Sequence, residues 1–281
     1  MLVREAMHAR TLTINGHESL PDAVVKMETF NIKRLPVLQD GALVGLLTDS
    51  DIRAHLPAVH EGLSPWTFAY RAGQVKVSAA MLPVVLTVTA EESLEAAIRI
   101  LLDRHVGGLP VLDEHGQLVG MLTLTDVLKA ELREPRLKWG SVHQHMTLST
   151  ISVAAASAAS EAAAKLKVSG LKVLPVLEGE QLVGVLHEKD VSAAVEKAQA
   201  AHGETVLGDQ FFLKGVSVRD LMRPPGGYVL DFLPMRDAVE RMLEADVHGL
   251  PVISEGGRLL GVLTISDVLK ALLGEGEVNR V

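Results

Sequence analysis

Leu35-Pro36-Val37-Leu38-Gln39-Asp40-Gly41-Ala42-Leu43-Val44-Gly45-Leu46-Leu47-Thr48-Asp49-Ser50-Asp51 decides the fold, because its landmarks return three more times at matching intervals. Leu-Pro-Val recurs around Pro110, Pro175 and Pro251. A glycine follows each proline at a nearly constant interval: Gly45, Gly120, Gly184 and Gly261. The step from each glycine to an aspartate is identical in all four copies, reaching Asp51, Asp126, Asp190 and Asp267. Working backwards, an alanine precedes each proline at one fixed offset (Ala23, Ala97, Ala162, Ala238), and a methionine precedes each alanine at another (Met7, Met81, Met146, Met222). Fixed offsets between unlike residue types mark four copies of one supersecondary unit.

In the first copy, Lys33 to Leu38 and Ala42 to Leu47 read as strands joined by the hairpin signal Asp40-Gly41. Pro36 belongs near a strand start or at an edge, where no ladder donor is needed, and Gly45 signals close backbone approach. A last helix runs from Thr48 to about His55. Upstream, Thr11-Leu12-Thr13-Ile14 reads as a short strand broken by Asn15-Gly16. Ser19 is the expected N-cap of a helix with Asp22 in its first turn. Leu20, Ala23, Val24, Met27 and Phe30 then form one buried stripe. The unit is β-α-β-β-α. Its stripe recurs as Leu94, Ala97, Ile98 and Leu101, and as Met235, Ala238, Val239 and Met242. The third copy, with Ala159, Ala162, Ala163 and Leu166, has a thinner apolar face.

One unit of about 50 residues buries only a marginal core, so the copies are expected to pair. The architecture is α/β, with copies one and two, and three and four, as two pseudo-twofold pairs. Repeats are placed at 1–56, 77–133, 139–195 and 217–281, spacers at 57–76 and 196–216, and a linker at 134–138 around Glu134-Pro135-Arg136. The spacer aromatics Trp66, Phe68, Tyr70, Phe211 and Phe212 are expected to pack onto their own half. Pro224-Pro225-Gly226-Gly227 stands where the first strand of copy four should begin.

Composition narrows the function classes. The 281 residues are 48% hydrophobic and only 3% aromatic, so Leu, Val, Ile and Ala must fill the cores. A net charge of −8 argues against non-specific nucleic-acid binding, which needs a basic face. With no cysteine, disulfides and thiolate metal sites are excluded. The N-terminus lacks a signal-peptide pattern and no apolar run is long enough to span a bilayer. A soluble cytoplasmic protein is expected.

The chemistry, if any, sits in Thr48-Asp49-Ser50-Asp51, Thr123-Leu124-Thr125-Asp126 and Thr264-Ile265-Ser266-Asp267. Thr-x-x-Asp at a strand-to-helix junction has the form of a capping box, which satisfies helix-terminal donors and needs no ligand. The same geometry suits a nucleotide: N–H groups and the positive dipole end face an anion, and the carboxylate accepts ribose hydroxyls. Spacing alone does not choose between these readings.

The copies resemble CBS domains, whose pairs form Bateman modules. The resemblance rests on the apolar helix, the Leu-Pro-Val strand, the hairpin and the Gly-x-x-Thr-x-x-Asp end. The first half, with its extended spacer, is also similar to acetoin-utilisation-type CBS proteins. The resemblance implies adenosine compounds (AMP, ADP, ATP or S-adenosylmethionine) bound in clefts between paired domains. Asp51, Asp126 and Asp267 would hold ribose hydroxyls, and Thr48, Thr123 and Thr264 would face ribose or phosphate. Base contacts would come from Thr11 and Thr13, Val85 and Thr87, and from the turns at Ile32 and Arg34, Val106 and Gly108, and Val247 and Gly249. Phosphate candidates are Lys33, Arg34, Arg53, Lys172 and His248, the first three expected near one cleft. In copy three, His187 replaces the threonine before Asp190, itself a ligand-binding candidate, so that site is expected to be empty, altered or reshaped for another anion, and the first half is the better ligand-binding candidate.

Weaker signals carry less. His143-Gln144-His145 lacks a third metal ligand at useful spacing. No Gly-x-Ser-x-Gly motif occurs, and Gly107-Gly108 and Gly226-Gly227 fit neither Walker nor Rossmann loops. The expectation is a non-catalytic, stand-alone regulatory protein that needs no cofactor, binds an adenosine nucleotide and signals to a partner protein. A disc-like CBS assembly is expected, within the chain or as a homodimer. The alternative is a scaffold with no nucleotide ligand.

Overall fold

The structure is a computed structural model that describes residues 1–9, 11–55, 65–83, 85–135, 139–148, 150–169, 171, 173–202 and 213–275. The chain divides into two compact units, Met1–Pro135 and Arg136–Val281. Among the described residues there are four small sheets, one centred on each repeat. In repeat one, Arg34–Gln39 is the middle strand, parallel to Ile14–Asn15 and antiparallel to Ala42–Thr48. The same order holds for Val88–Thr89, Gly108–Leu112 and Leu118–Thr123, for Val153–Ala154, Val173–Glu178 and Gln181–His187, and for Val229–Leu230, Gly249–Ile253 and Leu259–Thr264. The Asp40-Gly41 hairpin has φ of 51° and 82°, the double positive turn that matches strand twist.

The first strands are shorter and later than the sequence suggests. Thr11, Leu12 and Thr13 lie outside the strand, which is Ile14–Asn15 alone. Pairing explains this: Ile14 faces Val37, so Thr13 would face Pro36, which has no N–H to donate. Val88, Val153 and Val229 face the valine of their own Leu-Pro-Val in the same way. Gly226-Gly227 therefore match positions that are non-strand in every repeat, and copy four starts its strand at Val229 like the others. Pro36 itself is in the middle strand, not at an edge, and is tolerated because its neighbour strand begins one residue later.

The helix over Leu20–Phe30 has Ser19 as N-cap and Asp22 closing a capping box. Leu20, Ala23 and Met27 are buried, whereas Phe30, expected in the stripe, is 55% exposed beside the left-handed cap Asn31. The stripes of repeats two and four are buried throughout. In repeat three, Ala159, Ala162 and Leu166 are buried with Ala163 partly so. The spacer helix Pro65–Gln74 buries Ala72 but leaves Tyr70 69% exposed, so Tyr70 does not pack onto its half as expected. The side chains of Trp66, Phe68, Phe211 and Phe212 lie outside the described residues.

Pairing within each unit runs through the segment after the repeat methionine. His8–Ala9 of repeat one joins the sheet of repeat two, antiparallel to its last strand. In return Leu82 of repeat two exchanges backbone hydrogen bonds of 2.9 and 3.0 Å with Leu46 of repeat one. The second unit repeats this reciprocity, with Thr147 bonded to Val262 and Arg223 to Val185. The third-strand glycines permit it. A Cβ on Gly120 would lie 2.5 Å from the carbonyl oxygen of His8 and 3.0 Å from Met7 Sδ. Gly184 faces Arg223 and Met222, Gly45 faces Met81 and Leu82, and Gly261 faces Thr147 and Met146. The recurring spacing of methionine and glycine along the chain is thus a contact between repeats. Among the described residues no helix is long and apolar enough to cross a membrane.

Candidate functional site

The Thr-x-x-Asp junctions form complete capping boxes. Thr48 N and Oγ1 donate to Asp51 Oδ2 at 2.8 and 2.5 Å, and Asp51 N donates back to Thr48 Oγ1 at 3.4 Å, opening helix Asp49–His55. Thr123 and Asp126 do the same for Leu124–Arg133, as do Thr264 and Asp267 for Ile265–Leu272. The first helical N–H groups are also used: Asp49, Leu124 and Ile265 donate to the carbonyls of Lys33, Gly107 and His248. Several of the donors expected to face an anion therefore serve the fold. Removing the hydroxyl in Thr123→Ala is expected to cost about 0.5–2 kcal/mol, read as a lower urea midpoint.

The capped carboxylates keep one oxygen, Oδ1, for the paired repeat. His8 Nδ1 donates to Asp126 Oδ1 at 2.8 Å, and Thr147 Oγ1 donates to Asp267 Oδ1 at 3.2 Å. In repeat three no threonine caps the helix Glu188–His202, and Asp190 takes a bidentate bond from Arg223, with Nε at 2.8 Å from Oδ2 and Nη2 on Oδ1. The corresponding position for Asp51 is Leu82, which has no side-chain donor. Sequence reasoning missed these four residues. Their common signal is that each directly follows a repeat methionine, as His8, Leu82, Thr147 and Arg223.

Two of the predicted cations have partners within the protein. Arg34 donates to the Gly107 carbonyl of repeat two. Burial holds its guanidinium below its ordinary value, against the opposing pull of Asp126. A Cβ on Gly108 would lie 2.5 Å from Arg34 Nη1, so the room left by that glycine is filled by Arg34 and not open to a base. Arg53 instead pairs with Asp49 at 2.5 Å on the surface of its own helix. Lys33 and His248 are exposed on their turns, and Lys172 lies outside the described residues. Ile32 packs on the core of repeat one, while Val106, Val247 and Gly249 are half-buried.

The stretches before the first strands are pinned from the helix. Lys26 Nζ donates to Thr13 O at 3.4 Å, Lys165 Nζ to Ser152 O at 3.4 Å and Arg241 Nη1 to Tyr228 O at 3.0 Å. Each of these basic residues lies one helical turn after the repeat alanine, an offset also missed in the sequence. Thr11, Thr13, Val85 and Thr87 are all half-buried. Their counterparts in the second unit line two cavities. One, of about 380 Å³, has Thr150 and Ser152 in its wall with Leu177 and Leu260, and Thr150 Oγ1 has no hydrogen-bond partner among the described residues. The other, of about 570 Å³, is walled by Gly226, Tyr228, Arg241 and Leu250. Neither wall includes one of the repeated aspartates.

Two histidines give the second unit a pH dependence. Burial lowers the pKa of His145 and of His187 from 6.5, outweighing the opposite pulls of Asp267 and Asp190. Below 6.5 the unfolded chain binds protons that the folded chain does not, so stability present above that value falls as pH drops through it. The thermal midpoint is expected to be lower at about pH 5.5 than at about pH 7.5, and His145→Gln to reduce the difference. Among the described residues no cluster of three histidines or carboxylates is placed to hold a metal.

Comparison with known proteins bears on the whole chain. The model of the CBS domain family matches residues 3–58, 76–133, 140–197 and 218–274. The sequence is 24% identical over 279 residues to the uncharacterised protein MJ1225 of Methanocaldococcus jannaschii, covering 96% of this chain and 98% of that one. It is 34% identical over 132 residues to a CBS domain-containing protein of Dictyostelium discoideum, covering 46% of this chain and 89% of that one. The crystal structure of MJ1225 shares the fold, with a TM-score of 0.70 at 23% identity over 97% of this chain and 100% of that one.

Proposed function

The chain belongs to the CBS domain family, and from that premise we propose that it is a non-catalytic cytoplasmic sensor of adenosine nucleotides that signals to a partner protein. One observation carries the reading: Asp126, Asp190 and Asp267 each bond a side chain of the paired repeat, so a ligand bound there would touch both repeats at once. A ligand that binds two packings of a pair with different affinity shifts the balance between them, which is what a sensor needs. AMP, ADP, ATP and S-adenosylmethionine share the ribose whose hydroxyls suit a carboxylate acceptor. Asp51 and Asp126 are the assigned ribose contacts of the first unit.

Thermal unfolding with each of these compounds, with isothermal titration, tests the reading. The midpoint is expected to rise with ligand concentration. Asp51→Asn and Asp126→Asn are expected to weaken binding roughly tenfold to a hundredfold, the value of a hydrogen bond to a charged acceptor, while the fold survives. A second reading is a scaffold without nucleotide. The completeness of the three capping boxes favours it, since they account for the threonines and aspartates without any ligand. No midpoint shift with any adenosine compound at millimolar concentration would decide for the scaffold.

A further inference from the structure

We propose that the residue following each repeat methionine sets which aspartate is open to a nucleoside, with Leu82 leaving the Asp51 site open and Arg223 holding the Asp190 site shut. The inference rests on the nucleoside-sensing reading above and adds a hierarchy among its sites.

A carboxylate offers two oxygens with about four acceptor positions in all. At Asp51, Asp126 and Asp267 the cap consumes two of these on Oδ2, leaving Oδ1 as the oxygen with most room for sugar hydroxyls. What meets Oδ1 then decides access. Leu82, itself 52% exposed, brings only an aliphatic side chain to the segment facing repeat one. Among the described residues Asp51 Oδ1 accepts no bond from the paired repeat. Asp126 and Asp267 each carry a single bond at this oxygen, and the His8 side chain is 72% exposed and able to rotate away.

Asp190 stands at the other extreme. The fork of Arg223 takes both oxygens, and the Asp190 side chain is 12% exposed against 55% for the arginine. Bidentate charge-assisted bonds are about twice as strong as neutral ones, so a pair of neutral hydroxyls does not displace them. The cause lies in the same repeat: His187 supplies no hydroxyl to hold the carboxylate in a cap. Asp190 therefore presents its outer edge to Arg223.

The two positions are backbone equivalents. Leu82 exchanges backbone hydrogen bonds with Leu46, one residue beyond Gly45, as Arg223 does with Val185, one residue beyond Gly184. A reciprocal exchange in the full chain is therefore a direct test. AMP is titrated calorimetrically into wild type, Leu82→Arg, Arg223→Leu and Asp51→Asn, with unliganded thermal midpoints as the check on folding. Leu82→Arg is expected to weaken one AMP site at least tenfold, the same site weakened in Asp51→Asn. Arg223→Leu is expected to add one AMP site. Because both side chains are more than half exposed, the unliganded midpoints are expected to stay near wild type. If wild type binds AMP and neither exchange changes the number or affinity of sites, the gating inference fails and the sensor reading stands. If wild type binds no adenosine compound, the sensor reading fails and takes the inference with it.

Discussion

Replacing Gly120 by alanine is expected to destabilise the first unit by about 1–3 kcal/mol, the usual range for forcing atoms into a packed contact. The added Cβ would meet the carbonyl oxygen of His8 at 2.5 Å and Met7 Sδ at 3.0 Å. The first of these is backbone in a strand hydrogen-bonded to this same strand, so it cannot swing aside as a flexible side chain would. Relief requires the His8–Ala9 strand to lift off, and with it the His8 bond to Asp126. The natural control is Gly73→Ala in the spacer helix, where nothing lies within 4 Å of a new Cβ. There alanine is the better helix former by roughly 0.8–1 kcal/mol, so the control is expected to be neutral or slightly stabilising. Urea denaturation followed by circular dichroism separates the two. Equal midpoints for both variants would mean that the methionine segment does not bind the pair together.

The second large effect is expected at Asp126. Asp126→Ala should cost about 1–3 kcal/mol, because it leaves the half-buried donors of Thr123 without their acceptor. Asp126 is 5% exposed, so water has little access to replace the lost oxygen. Asp51 makes the same capping bonds but is half-buried, and Asp51→Ala should cost less because solvent reaches the orphaned groups. Urea midpoints of the two variants, measured without ligand, check the order. A larger loss at Asp51 than at Asp126 would contradict it. The comparison also explains why Asp→Asn, which keeps an acceptor oxygen, is the better substitution for measuring ligand affinity.

Much of this architecture was legible in the chain. Ser19 and Asp22 marked a helix start, Asp40-Gly41 marked a hairpin, and the stripe from Leu94 to Leu101 marked a buried face. These signals are local, because caps, turns and periodic burial depend on residues within a few positions of one another. The failures were also physical. Thr11 to Thr13 carried the β-branched composition of a strand, but the partner position was a proline with no donor to offer. Phe30 had the right period but fell at the last residue of its helix, beyond the packed face. Lys33, Arg34 and Arg53 were legible as cations, but not that Arg34 bonds the Gly107 carbonyl and Arg53 pairs with Asp49.

By itself the amino-acid sequence determined that there are four repeats, what each is made of, and that their aspartates stand at helix starts, since all of this follows from short-range spacing. Only the tertiary structure decided that the methionine of one repeat seats on the glycine of the other, and that His8, Thr147 and Arg223 bond Asp126, Asp267 and Asp190. Those contacts join residues as far as 118 and 120 positions apart, and no periodicity within a repeat specifies which partner strand a segment will lie against. The choice is made when two marginal cores bury their open sides together, and with it comes the fork of Arg223 on Asp190.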